Sequence, residues 1–233
     1  MMAIKGLEES KNGQYCTNVT LNLYDSPKCE DLATQAAAGR HLRILSQTPI
    51  DGAIEVCLSE DGYVAWLSLE KVRELKPAPK VYQAIALSRS EIESRLPEVI
   101  AFTKAAIKQP NYYFWGGTVS PNYDCSGLIQ AAFAASGIWL PRDSYQQEAF
   151  TKTITLAEVL PGDLIFFGTV EKVNHVALYL GEGYYIHSSG KDKGRNGIGI
   201  DQLSEDGDLV SRSYYQQLLG FGRVICNYIH PYT

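Results

Sequence analysis

One cysteine and two histidines stand out in a chain of 233 residues with five cysteines and four histidines. Cys125 follows an aromatic, glycine-rich run, Asn111-Tyr-Tyr-Phe-Trp-Gly-Gly-Thr-Val-Ser-Pro-Asn-Tyr-Asp124, and opens an amphipathic stretch ending at Ser136-Gly137. Asp124 suits an N-cap and Gly137 suits the left-handed position after a helix. The pattern predicts a helix over 125–136 with Cys125 in its first turn. There the free backbone N–H groups and the positive end of the macrodipole favour an anion, which biases the thiol towards thiolate.

A nucleophilic cysteine needs a base within hydrogen-bond reach, and the base needs a group that orients it. His41 falls among short strands and His230 in the tail, which leaves His175 and His187. In His175-Val-Ala-Leu-Tyr-Leu180, strand alternation sets His175, Ala177 and Tyr179 on one face and Val176, Leu178 and Leu180 on the other. A three-residue loop, Gly181 to Gly183, places Ala177 opposite His187 and Leu178 opposite Ile186. Both histidines then share a face as diagonal neighbours, about 7–8 Å apart at the backbone. A two-residue loop puts them on opposite faces. The hydrophobic pattern and the chemical requirement select the same register. The chemistry expected is attack on a carbonyl by Cys125, proton transfer through His175, tautomer control by His187 and an oxyanion site at the helix start.

The chain lacks the papain-type C-G-S-C-W signature and the H-E-x-x-H and H-x-E with C-x-x-C metal spacings. No metal or other cofactor is expected. A net charge of −5 with no basic run argues against a nucleic-acid partner. An odd cysteine count without C-x-x-C pairs argues against a disulfide framework and for reduced thiols. The first residues carry no signal-like apolar core, and no 18-residue apolar run occurs, so a cytoplasmic location without membrane association is expected.

These residues need elements to hold them. Short strands are expected at 19–24, 42–45, 53–58 and 63–67, with Asp61-Gly62 as a hairpin signal, which suggests a small barrel over 15–76 after an extension at 1–14. Lys76-Pro-Ala-Pro-Lys80 marks a stiff linker, placed at 77–88. A helix follows over 88–108, with Ser90 and Glu93 as its capping box, Ile92, Leu96, Val99, Thr103 and Ile107 as its apolar stripe, and a break or restart at Pro97. Pro141-Arg-Asp-Ser144 opens another helix, capped by Asp143 or Ser144. Strands at 164–167, 175–180, 184–188, 198–200 and 221–226 complete a second domain over 89–233. Helices first and a meandering sheet afterwards make that domain α+β.

Tyr113-Phe-Trp-Gly-Gly, Asp124-Cys-Ser-Gly-Leu128, Pro141-Arg-Asp-Ser144, Pro161-Gly-Asp163 with Leu164-Ile-Phe-Phe167, and Asn174-His-Val-Ala-Leu-Tyr179 occur in that order. Over roughly 95–226 the chain resembles the NlpC-type cysteine peptidases. In the first domain, Leu21-Asn-Leu-Tyr-Asp-Ser-Pro-Lys28 and Asp61-Gly-Tyr-Val-Ala-Trp-Leu-Ser68 resemble bacterial SH3-like domains. The resemblance implies a papain-like α+β cysteine peptidase domain preceded by a small all-β SH3-like barrel. It implies Cys125 as nucleophile, His175 as base and His187 as third polar residue. Relatives with both domains are γ-D-glutamyl-L-diamino acid endopeptidases. The implied substrate is a peptidoglycan stem peptide with a free L-alanine, cut between D-glutamate and meso-diaminopimelate or lysine during cell-wall recycling.

The same likeness implies binding positions. Asp143 and Ser144 would face the substrate, with Asp143 meeting the free amine, since a buried ammonium needs a paired anion. Tyr63 would approach the active site, Tyr113 and Trp115 would wall the pocket, and Asp124 and Ser126 flank the nucleophile. Glu30 and Glu60 are available for a second acidic contact. No obligate protein partner is expected. Competing readings are an amidase or acyltransferase on the same Cys/His core, or a non-catalytic wall-binding module.

Overall fold

The computed structural model describes residues 7–230, which divide into two compact units, 7–85 with 229–230 and 86–228. The first unit is an antiparallel sheet of seven strands: β1 (Tyr15–Thr17), β2 (Leu21–Tyr24), β3 (Leu32–Ala36), β4 (His41–Ile44), β5 (Ala53–Leu58), β6 (Val64–Ser68) and β7 (Leu75–Pro77). Their spatial order is β3-β2-β6-β5-β4-β1-β7. Alternating apolar residues of β2, β5 and β6, among them Leu21, Leu23, Ile54, Val56, Leu58 and Leu67, fill its core. The strands expected from alternation are present. Those not expected, β1, β3 and β7, are short, and β3 reads Leu-Ala-Thr-Gln-Ala, a composition that leans towards helix until pairing with β2 fixes it. Ile229 and His230 belong to this unit rather than to the second domain expected at 89–233. The His230 ring lies against Gly62, whose φ of 69° and missing Cβ leave the space. Of the expected extension 1–14, the first six residues lie outside the described residues; Leu7 packs against the barrel core.

The second unit has four helices, α1 (Arg89–Ala106), α2 (Cys125–Ala135), α3 (Ser144–Phe150) and α4 (Leu209–Tyr215). Its strands are β8 (Thr118–Val119), β9 (Asn122–Tyr123), β10 (Lys152–Ile154), β11 (Leu164–Thr169), β12 (Lys172–Gly181), β13 (Tyr184–Ser189), β14 (Gly197–Gln202) and β15 (Leu218–Arg223). Six of them form an antiparallel sheet in the order β10-β15-β11-β12-β13-β14. On one face Leu164, Phe166, Val176, Leu178 and Ile186 pack with Ile92, Leu96 and Val99 of α1 and Ile129 and Phe133 of α2. On the other, Ile165, Phe167, Ala177, Tyr185 and Phe221 pack with Tyr214 of α4. The arrangement is α+β, as expected. The last strand lies at Leu218–Arg223 rather than 221–226, in register with β11.

Three local expectations are corrected. The capping box of α1 is Ser88 with Glu91, not Ser90 with Glu93. Both pairs have the same spacing, and tertiary packing chooses between them. With Ser88 as cap, Leu87 and Ile92 flank the first turn as a hydrophobic staple and both enter the core, whereas the Ser90 frame offers Arg89 and Ser94 there. The helix also continues through Pro97. Pro97 and Glu93 are exposed, so the carbonyl that loses its donor faces the water side while the apolar stripe holds the helix together. Finally, α2 is not half-exposed: residues 125–130, Ala132 and Phe133 are all buried.

Candidate active site

Cys125 is the first residue of α2 and is buried. Its position is fixed by Asp124. Oδ1 of Asp124 accepts the Gly127 N–H at 2.6 Å, the helix cap expected, and Oδ2 accepts the Gly116 N–H at 2.9 Å. Arg142, 2% exposed, grips the same carboxylate with both nitrogens, Nη1 to Oδ1 at 3.2 Å and Nη2 to Oδ2 at 2.6 Å, and also donates from Nη1 to Ser126 Oγ at 2.9 Å. Gly127 permits this assembly, because the Gly117 carbonyl oxygen occupies the place a Cβ would take. The Asp-Cys-Ser-Gly motif is thus a cap, a thiol and a close approach between the helix and the aromatic loop.

The histidines come from the hairpin of β12 and β13. Leu178 faces Ile186 and Tyr179 faces Tyr185, the register expected. Its cause differs. The loop has two residues, Glu182 and Gly183, both at positive φ (54° and 80°), as in a type I′ turn. A register shift between Tyr179 and Gly181 leaves Leu180 as the extra residue, and that bulge restores the parity a two-residue loop would otherwise break. His175 Nε2 and His187 Nδ1 are 2.7 Å apart. His187 Nε2 lies 2.7 Å from Asp201 Oδ2 on β14. Asp201 receives Nη2 and, at 3.1 Å, Nε of Arg195, and Arg195 Nη2 also reaches Asp208 Oδ2 at 2.9 Å. The Tyr214 ring lies 4.5 Å from that of His175, and its hydroxyl is 2.7 Å from Ser189 Oγ.

Burial sets the protonation of the group. It pushes the Cys125 thiol up to about 12, with the Asp124 charge adding to it; the Val176 and Ser126 N–H groups and Arg142 pull the other way. The expected bias to thiolate is therefore overturned, because the helix terminus is outweighed by loss of water. Burial likewise holds His175 well below the ordinary histidine range, reinforced by the neighbouring His187, with which it would compete for a positive charge, and by Lys193, and burial lowers His187 against the pull of Asp201. Burial opposes ionisation of Asp201, but hydrogen bonds from His187 and Arg195 prevail and hold it at about 2. The resting site holds a thiol and two neutral imidazoles, the imidazoles backed by a carboxylate.

The remaining expected residues are placed as follows. Tyr113 is half-buried, and its phenol is pushed up by burial and then by the charges of Cys125 and Asp124. Trp115, on the same loop, is 71% exposed. Ser126 is buried between Asp124 and Arg142. The Asp124 carboxylate is filled by its donors, so its side chain supports the site rather than offering a free anion to a substrate. Asp143 is half-buried as the N-cap of α3, with its N–H donated to Gln146, and Ser144 is buried at the first position of that helix. Tyr63 belongs to the first unit, where its N–H donates to Asp61 Oδ1 at 3.1 Å. Glu60 is buried in that unit against Arg40 and His41, and Glu30 is exposed.

Arg142, Arg195, Asp201 and Tyr214 were given no role from the sequence. Asp201 had a usable signal: in Gly197-Ile-Gly-Ile-Asp201 alternate residues share a face, and the register sets Gly199 opposite His187 and Asp201 opposite Tyr185. Arg195 had none, since it acts from a loop.

Residues 110–218 match the NlpC/P60 family, and residues 23–72 match the bacterial dipeptidyl-peptidase SH3 domain. The chain is 39% identical over 112 residues to a probable endopeptidase p60 of Listeria seeligeri, covering 48% of this chain and 19% of that protein. It is 40% identical over 116 residues to the bifunctional muramidase/DL-endopeptidase CwlT of Bacillus subtilis, covering 48% and 32%. The chain therefore spans less than a third of the length of either relative. A crystal structure of an NlpC/P60 family protein from Bacillus cereus aligns over 93% of this chain and 65% of its own, at 24% identity and a TM-score of 0.49. With Cys125, His175, His187 and Asp201 all inside the matched stretch, the chain carries an NlpC/P60 domain preceded by a bacterial SH3 domain.

Proposed function

We propose that this chain is a cysteine endopeptidase that hydrolyses the bond between γ-D-glutamate and an L-diamino acid, meso-diaminopimelate or lysine, in peptidoglycan stem peptides with a free L-alanine. The observation that carries the proposal is the pair of buried, hydrogen-bonded histidines, His175 and His187, 2.7 Å apart, in a sheet whose neighbouring Val176 shares a core cluster with Cys125. In this mechanism Cys125 Sγ attacks the glutamyl carbonyl as His175 takes the thiol proton. The carbonyl oxygen is received by N–H groups at the start of α2. His175 returns the proton to the departing amine, and water then cleaves the thioester with His175 again as base. His187 keeps the His175 ring in place.

In this reading Tyr113 and the exposed Trp115 wall the substrate cleft, and Asp143 with Ser144 receives the free amine. The DL-endopeptidase named among the relatives, and the dipeptidyl-peptidase association of the SH3 domain, support a peptide cut of this kind. The amine requirement fits released wall fragments, because intact wall carries that amine as an amide. Turnover of such fragments within the cytoplasm is the setting we propose.

Hydrolysis of L-Ala-γ-D-Glu-meso-diaminopimelate is compared with that of its N-acetylated form, with products identified by mass spectrometry. Cleavage of the free-amine peptide alone, abolished by Cys125→Ala, is the result expected. Equal rates on both peptides refute amine recognition, and full activity in Cys125→Ala refutes the mechanism.

A further inference from the structure

Building on the assignment of Cys125 and His175, we infer that Asp201, clamped by Arg195, is a positioning residue. It fixes the ring tautomers of both histidines and keeps a negative charge behind the imidazolium that forms when Cys125 loses its proton.

The Asp201 side chain is fully buried, and as a carboxylate it only accepts hydrogen bonds. The His187 nitrogen 2.7 Å from it, Nε2, therefore carries the hydrogen. His187 is neutral, so its Nδ1 holds a lone pair, and the partner 2.7 Å away, His175 Nε2, must donate. That leaves the lone pair of neutral His175 on Nδ1. With an amide at position 201, the NH2 group can face His187 instead, which reverses both hydrogen bonds and places hydrogen on His175 Nδ1. The ring then has no base to offer from that atom. The logic matches the loss of rate when the aspartate of a serine-protease triad becomes asparagine.

Arg195 makes the buried charge tenable. It gives Asp201 two N–H donors and, being partly exposed itself, links that carboxylate to Asp208 at the surface. Asp208 is also the cap of α4, accepting the Ser211 N–H at 2.8 Å, and α4 carries Tyr214 onto the His175 ring. Gly199 has no Cβ, and one there would approach Arg195 Cδ to 3.1 Å, so β14 leaves room for the clamp. Facing the histidines are Phe167 of β11, Tyr214 of α4 and, on His187's own strand, Tyr185, with the Lys193 charge nearby. Among the described residues, Asp201 is the carboxylate hydrogen-bonded to the pair.

The test is the pH dependence of Cys125 alkylation by iodoacetamide in the full chain, read by peptide mapping so that the other four cysteines are resolved. Wild type is compared with Asp201→Asn, Arg195→Ala and Arg195→Lys. Asp201→Asn should slow Cys125 alkylation at neutral pH at least tenfold and move its rise to higher pH. Arg195→Ala should shift it in the same direction by less, and Arg195→Lys should recover most of the rate. A wild-type profile in natively folded Asp201→Asn overturns the inference. If that variant does not fold, an unchanged profile in Arg195→Ala overturns it. Alkylation needs no substrate, so an activated Cys125 that responds to Asp201 in a protein that leaves the tripeptide intact sustains this inference and refutes the substrate.

Discussion

Arg142→Met is the most exacting test of how the nucleophile is held. The substitution keeps the length and apolar stem of the side chain and removes both nitrogens that grip Asp124, together with the hydrogen bond to Ser126. Both partners are buried, and stripping one partner from a buried pair costs about 3–5 kcal/mol because the other charge stays behind. Asp124 keeps the N–H groups of Gly116 and Gly127, so the low end, about 3 kcal/mol, applies. At roughly 2–4 °C per kcal/mol for a unit of this size, the midpoint of thermal unfolding should fall by about 6–12 °C. The assay is circular dichroism melting at pH 7, paired with urea titration at 25 °C. Arg142 also draws the Cys125 thiol downwards, so alkylation of Cys125 in the variant should slow as well. A stability loss under about 1 kcal/mol, the value of an exposed pair, would refute the reasoning.

Gly127→Ala should be more severe than an ordinary mid-helix glycine exchange, where alanine is favoured by about 1 kcal/mol. The obstacle is the Gly117 backbone oxygen, which cannot swing aside, so a loss of several kcal/mol in urea unfolding is expected, and wild-type stability would count against it. Pro97→Ala restores an amide donor to α1 at an exposed position and should stabilise by about 2 kcal/mol, the helix-interior cost of about 3 kcal/mol less an unfolded-state effect of about 0.4–1 kcal/mol; no gain in urea midpoint would contradict it. Stability should also fall with acid in two stages. His175 and His187 are held neutral in the fold, so the unfolded chain binds protons first as pH drops below about 6.5, and stability declines from there. Asp201, held at about 2, adds a further loss on the order of 2 kcal/mol as pH falls from about 4 towards 2. Urea midpoints unchanged between pH 8 and pH 5 would refute the first stage.

Much of the site was legible because its signals are local. Asp124 and Gly137 lie at either end of one helix, so their residue types bound α2 without any distant partner. Strand parity is equally local, and it put His175 and His187 on one face once the apolar residues chose the other. What the chain could not reveal depends on groups that meet only after folding. Ser88 and Ser90 offer equal capping boxes until Leu87 and Ile92 enter the core. The turn at Glu182-Gly183 would reverse the histidine faces but for the bulge at Leu180. The helix start at Cys125 promised a thiolate, and burial reversed it. Arg142 reaches Asp124 from 18 residues away and Asp201 reaches His187 from 14. The sequence by itself determined which residues could do chemistry and which faces they share. The tertiary structure decided their charge states and the carboxylate behind them, because desolvation and hydrogen-bond partners come from the whole fold and not from neighbours along the chain.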